Sequence, residues 1–214
     1  MLGLEQRFIT GMAWDGRVLW LAVPEEHLVA TYDPQRGTAE NILVYRHEVW
    51  DLCPQEDELW LMAGGGKLGH QLVLWSLKKG EELRRFDCPD GAGAGIALYD
   101  GKLWLTHRHN RKLFCLDPAS GKVNWMIRME NETFSPTAYK NELWFIESDP
   151  GPLGPWNPAQ RGKQFFSRYD PAWERVMERC EVPFVPSCVA FDGERFWYAE
   201  EGKRGLFSTE KNFG

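Results

Sequence analysis

Apolar residues in this chain come in short runs separated by glycine, proline, aspartate and asparagine. The stretch from Gly95 to Gly121 shows the unit most plainly. Ile96–Tyr99 is followed by Asp100-Gly101, then Leu103–Thr106, then Leu113–Leu116 closed by Asp117-Pro118 and Gly121. Two β-prone runs around an Asp-Gly dipeptide predict a hairpin, and Asp-Pro running to Gly predicts the turn after a third strand. Lys122–Met129 then alternates polar and apolar residues, the pattern of an outer strand with one wet face.

The same unit recurs along the chain. VLW ends at Trp20, ELW at Trp60, KLW at Trp104, ELW at Trp144 and RFW at Trp197, at intervals of 40, 44, 40 and 53 residues. A period of about 40–45 residues holding several short strands predicts propeller blades. The pattern therefore predicts an all-β, five-bladed β-propeller with four antiparallel strands per blade, occupying residues 1–214 as one domain. A single blade cannot bury both faces without neighbours, so the copies belong to one closed unit. The last copy holds only three strands, and Leu4–Ile9 forms a lone run before the first. The N-terminal run is expected to lie beside Gly205–Ser208 as the outermost strand of the last blade, which would close the ring. Pro54 is expected to stop the first strand of blade 2 after Cys53.

Composition narrows the function. The net charge of −6 argues against nucleic acid or an anionic membrane as the main partner. No apolar run reaches the length of a membrane span, and MLGLEQRFIT lacks the basic and apolar segments of a secretory signal. Cys53, Cys88, Cys115, Cys180 and Cys188 are odd in number and show no CxxC spacing. They are expected to be free thiols in a cytoplasmic protein.

The candidate chemistry lies in loops. In a propeller the connections between blades, and those between the second and third strands of a blade, share one face. Here they carry all five histidines: His27, His47, His70, His107 and His109. Loops set on a rigid scaffold carry function disproportionately. Counting three residues on from each repeat tryptophan gives Val23, Ala63, His107, Glu147 and Glu200. His107, Glu147 and Glu200 are thus candidate ligands for a divalent metal such as Mg, Ca or Zn. His107, His109 and Glu48 are the candidate acid–base groups, and a histidine beside carboxylates can cycle a proton near neutral pH. His47, Trp50 and Trp156 are candidate substrate contacts. Trp156 lies in Ser148–Lys163, a proline-rich insertion expected to act as a partial lid over the channel mouth. Gly64-Gly65-Gly66-Lys67 lacks the GxxxxGK[ST] spacing of a phosphate loop.

The unit GIALYDGKLWLTHRHNRKLFCLDPASG resembles the repeat of streptogramin (virginiamycin B) lyase-like propellers, as do ELWFIE in blade 4 and RFWYAEEGKRGLF in blade 5. That resemblance implies metal-binding glutamates and a histidine base at strand ends near the ring mouth, positions similar to those of Glu147, Glu200, His107 and His109. Those lyases have seven blades, whereas this chain has room for five. The blade count is similar to that of plant-type glutamine cyclotransferases. Their F-T-Q-G and G-E-G openings look related to Phe8-Ile9-Thr10-Gly11 and Gly93-Ala94-Gly95. Thr10 and Ala94 replace the polar residues, which disfavours cyclase chemistry by the same groups. The expectation is an enzyme acting on a small molecule at the top face, of lyase, hydrolase or cyclase type. The alternative is a non-catalytic propeller that binds a small ligand or a protein partner.

Overall fold

The computed structural model describes residues 3–66, 69–149 and 162–211. It is a five-bladed β-propeller of five antiparallel sheets. Blade 1 comprises β1 (Gly11–Trp14), β2 (Leu19–Val23), β3 (Leu28–Asp33) and β4 (Thr38–Val44). Blade 2 comprises β5 (Val49–Gln55), β6 (Glu58–Gly64), β7 (His70–Ser76) and β8 (Glu81–Asp87). Blade 3 comprises β9 (Ile96–Tyr99), β10 (Lys102–His107), β11 (Lys112–Leu116) and β12 (Val123–Arg128). Blade 4 comprises β13 (Glu132–Tyr139), β14 (Glu142–Ser148), β15 (Gln164–Asp170) and β16 (Arg175–Val182). Blade 5 comprises β17 (Pro186–Phe191), β18 (Arg195–Glu200) and β19 (Phe207–Glu210).

The five repeat tryptophans explain why each blade folds as it does. Each sits on the second strand, and its indole N–H is held beside the first hairpin of its own blade. Trp20 donates to Asp15 Oδ2 and Trp197 to Asp192 Oδ2, both at 2.7 Å. Trp60 donates to Gln55 at 3.3 Å, Trp104 to the Tyr99 carbonyl at 3.3 Å and Trp144 to Glu142 at 3.1 Å. The ring itself packs against the next blade. The core accordingly divides into five main clusters, one at each junction between blades, around Leu59, Leu103, Leu143, Phe191 and Leu19. Burial of one such ring contributes roughly 4–6 kcal/mol at about 25 cal/mol per Å².

The innermost strands close the ring through hydrogen bonds from blade to blade. Thr10 Oγ1 donates to the Trp50 carbonyl (2.9 Å) and Ile96 N–H to Asp51 Oδ2 (2.8 Å). Ser135 N–H donates to the Ala94 carbonyl (2.8 Å), and Val189 N–H to Ser135 Oγ (2.9 Å). Ser187 Oγ donates to the Ile9 carbonyl (3.1 Å), returning to blade 1. Asp51 is 2% exposed, and a Cβ on Gly11 would stand 2.4 Å from its Cα. Glycine at position 11 is therefore what lets the aspartate pack between blades 1 and 2. Burial pushes the Asp51 carboxyl up to about 8 against the opposing pull of amides from Ile96, Leu52 and Met12.

Two details differ from the sequence reading. β5 continues through Pro54, which pairs with Leu59. The strand is innermost in its sheet, so its free edge needs no ladder N–H from the proline. The N-terminal run does lie beside Gly205, whose N–H donates to the Arg7 carbonyl at 3.0 Å. It does so as a 3-10 turn, Leu4–Gln6, followed by extended chain, and the described ladder of blade 5 has three strands, β17-β18-β19. The five cysteines are free thiols, four of them buried. Among the described residues no helix is long and apolar enough to cross a membrane.

Candidate functional site

The top face carries the connections between blades and the loops from second to third strand. The inner end of blade 2 presents Trp50, which is half-buried. Its indole N–H donates to the Gly64 carbonyl at 2.6 Å, and its ring lies 6.0 Å from that of His70. His70 Nδ1 is 3.0 Å from both the amide nitrogen and the carbonyl oxygen of Gly93, so either neutral tautomer finds a partner there. Burial lowers the His70 pKa, opposed by the Gly93 hydrogen bond and by Glu48. Glu48 is exposed, and its carbonyl accepts from Gly64 N–H at 2.9 Å. His47 is half-buried with its ring edge-on to Tyr45.

Blade 3 sends His107 and His109 to opposite sides. His107 Nε2 lies 3.3 Å from Asn110 Nδ2 on the blade 2 side, where Asp90 accepts from Lys112 at 2.6 Å. Burial lowers the His107 pKa, opposed chiefly by Asp90. His109 turns toward blade 4, where its Nδ1 stands 3.6 Å from Glu132 Oε1. Glu132 is 4% exposed and accepts from Arg108 Nε at 2.8 Å through its other oxygen. The Arg108 guanidinium lies 4.1 Å above the Phe134 ring centroid. His109 remains 58% exposed at the side chain. A buried carboxylate thus faces an accessible imidazole at ion-pair distance, an arrangement of the kind used in acid–base chemistry.

Glu147 has a different environment. It is 1% exposed and takes a two-point ion pair from Arg179, with both contacts at 2.8 Å. Ser167 Oγ (2.6 Å) and Asn131 Nδ2 (3.0 Å) complete its shell. Glu200 pairs with Lys203. His107, Glu147 and Glu200 thus each keep separate partners. Among the described residues no group of three or more His, Cys, Asp or Glu side chains is placed to hold a metal ion. Both Glu147 oxygens are committed to Arg179, so the set does not fit a divalent cation.

The reason is geometric. Strand side chains stand perpendicular to their sheet, and sheets in a propeller are radial. Residues at the top of a second strand therefore point into junctions between blades, not toward the axis. Glu132, which opens the first strand of blade 4, faces the junction with blade 3 and meets Arg108 and His109 there. Val49 pairs with Ala63, and Thr133 pairs with Glu147, each three residues past its blade tryptophan. Glu132 consequently occupies in blade 4 the position that Glu48 occupies in blade 2. That correspondence was available in the sequence. Trp156 and most of the insertion lie outside the described residues.

No protein-family model and no curated protein sequence matches the chain. Solved structures do. Hydrazine synthase from Kuenenia stuttgartiensis matches with a TM-score of 0.59 at 16% identity, over 91% of this chain and 62% of that one. A streptogramin B lyase structure matches with a TM-score of 0.55 at 15% identity, over 100% of this chain and 86% of that one. Glutaminyl cyclase from Myxococcus xanthus matches with a TM-score of 0.52 at 16% identity, over 76% of this chain and 74% of that one. This chain thus spans less than two thirds of the hydrazine synthase chain. At these identities the likeness is one of fold.

Proposed function

We propose that this protein is an enzyme acting on a small molecule at the top face, across blades 2 to 4, by proton transfer at His109. The observation that carries the reading is the pairing of exposed His109 with buried Glu132, itself clamped by Arg108. In this reading Glu132 holds the imidazole through Nδ1. Nε2 takes a proton from the substrate and returns it to the product or leaving group. Arg108 keeps the Glu132 carboxylate oriented, and its stacking on Phe134 fixes the guanidinium. Trp50, backed by His70, offers a flat half-buried wall for an apolar or aromatic portion of the substrate. A lyase or cyclase reaction suits a single proton-carrying group, and two of the fold neighbours carry those names.

The test is an activity assay with streptogramin B and with a peptide bearing an N-terminal glutamine, on the wild-type protein and His109→Ala. Turnover of either substrate that disappears in the variant supports the reading. Turnover unchanged in His109→Ala overturns the assignment of the base. No turnover of either, together with no thermal stabilisation by any member of a small-molecule library, overturns the enzyme reading in favour of a protein-binding propeller.

A further inference from the structure

We propose, resting on the acid–base reading of the top face, that the molecule bound there carries a carboxylate and that the free edge of Arg108 holds it. In that reading Arg108 clamps Glu132, yet the clamp uses only one of its nitrogens. Nε donates to Glu132 Oε2 at 2.8 Å, and neither Nη1 nor Nη2 has a hydrogen-bond partner among the described residues. A guanidinium presents its N–H donors in a planar fork with no acceptor, so the whole Nη edge is left to a ligand or to water.

Those donors are held in place. The Arg108 Cζ lies 4.1 Å from the centroid of the Phe134 ring, and Phe134 is buried. The ring covers one face of the guanidinium and Glu132 takes its Nε, while the side chain as a whole is 28% exposed. A fork fixed from two sides loses little freedom when a ligand takes the third. Two parallel N–H groups match the two oxygens of a carboxylate. The position also suits the chemistry. Arg108 and His109 meet the two oxygens of one carboxyl group, at 2.8 and 3.6 Å, so guanidinium and imidazole lie within the span of one small molecule. A carboxylate seated on Nη1 and Nη2 brings the atoms attached to it within reach of the imidazole.

Local charge favours an anion here, although the chain as a whole carries −6. Residues 107–112 include Arg108, Arg111 and Lys112 and no acid. Glu132 faces Arg108 at 2.8 Å and Asp90 faces Lys112 at 2.6 Å. Arg111 donates to the Glu130 carbonyl at 3.2 Å, and among the described residues no carboxylate pairs with it. The segment therefore keeps a cation in excess, which draws anions to this part of the top face. Glu132 selects among them. A fixed negative charge on the guanidinium repels a doubly charged phosphate more than a singly charged carboxylate.

Phenylacetate serves as the probe, with phenylacetamide as its uncharged isostere and phenyl phosphate as the doubly charged alternative. Each is titrated into the whole protein while NMR follows the arginine Nε–H signals. Phenylacetate is expected to shift the Arg108 signal and to bind about tenfold more tightly than phenylacetamide. Arg108→Lys keeps the charge and loses the fork, and should weaken phenylacetate by about tenfold. Glu132→Gln should bind it as tightly or more tightly, since it removes only repulsion. His109→Ala should keep phenylacetate binding, so the carboxylate anchor and the base stand or fall separately. Equal loss of binding in Arg108→Lys and Glu132→Gln would show that Arg108 acts only through Glu132, and would overturn the proposal. Equal affinity for phenylacetate and phenylacetamide would overturn it too, leaving the acid–base reading in place. Tighter binding of phenyl phosphate would assign the fork to phosphate and contradict the carboxylate. An Arg108 signal unmoved by all three at millimolar concentration would equally sink it.

Discussion

Glu132 approaches His109 from a neighbouring blade: the carboxylate opens the first strand of blade 4, and the imidazole belongs to a loop of blade 3, with 3.6 Å between Oε1 and Nδ1. The contact bridges two sheets at the top face, so the imidazole is positioned by the packing of blades and not by its own loop alone. Arg108, one residue before His109, holds the second carboxylate oxygen at 2.8 Å. The proposed base and the residue that orients its partner are thus adjacent in sequence.

The first prediction separates base from orienter. On whichever substrate is turned over, His109→Ala is expected to lower kcat by about 10²–10⁴-fold, the usual contribution of a positioned acid–base group. Glu132→Gln should lower kcat less and leave KM nearly unchanged. Steady-state kinetics on the two variants checks this. A rise in KM at constant kcat for both would mean that the pair only binds.

The second prediction concerns the tryptophan anchors. Asp192 accepts from the Trp197 indole and from the backbone N–H groups of Glu194 and Arg195. Asp192→Ala leaves three donors without this acceptor and should cost about 1–3 kcal/mol. Gln55→Ala, which removes one longer contact to Trp60, should cost less. Urea denaturation of both variants gives the comparison through the midpoint at unchanged slope.

A third prediction follows from Asp51. Its folded-state pKa is raised from 3.8 to about 8, so the folded protein keeps a proton that the unfolded chain releases. The stability from that proton is full below 3.8, declines as pH rises and is gone above about 8. Asp51→Asn mimics the protonated acid. Wild-type Tm should fall between about pH 4 and 8 and level off above that, and the variant's should fall distinctly less. Parallel curves would show that the carboxyl is ionised in the folded protein.

The strands, the blade count and the turns were legible because each rests on local chemistry: Asp-Gly and Asp-Pro turns, and one tryptophan per repeat. The top-face histidines were legible as loop residues. The facing of side chains was not. Counting from the tryptophan gives His107, Glu147 and Glu200 equivalent places in their repeats, yet each meets its own partner: Asn110, Arg179 and Lys203. Glu147 meets Arg179, on the outermost strand of its blade, a pairing that no local pattern announces. Glu132's equivalence to Glu48 could be counted from the repeats, but its meeting with Arg108 carries no mark in the sequence because it depends on how blade 4 docks against blade 3. The N-terminal run has the apolar residues of a strand, but Leu4–Gln6 forms a single 3-10 turn.

The fourth prediction uses the Glu147–Arg179 ion pair. Arg179→Ala leaves the buried Glu147 carboxylate with only Ser167 and Asn131. The loss should be about 3 kcal/mol, at the low end for breaking a buried pair because Arg179 is itself 40% exposed. Chemical denaturation measures the loss. Activity at the top face per folded molecule should be unchanged, since neither residue belongs to the proposed site.

Small molecules are expected to bind at the top face between Trp50 and His109, and the rest of the functional reading depends on that site. A crystallographic fragment screen on the wild-type protein tests it directly and needs no identified substrate. Fragments should lie over the Trp50 ring and within hydrogen-bond distance of His109 Nε2, and the contact at that nitrogen should be lost from crystals of His109→Ala soaked alike. Fragments confined to the clefts between outer strands, with the region from Trp50 to His109 empty, would contradict the proposed site.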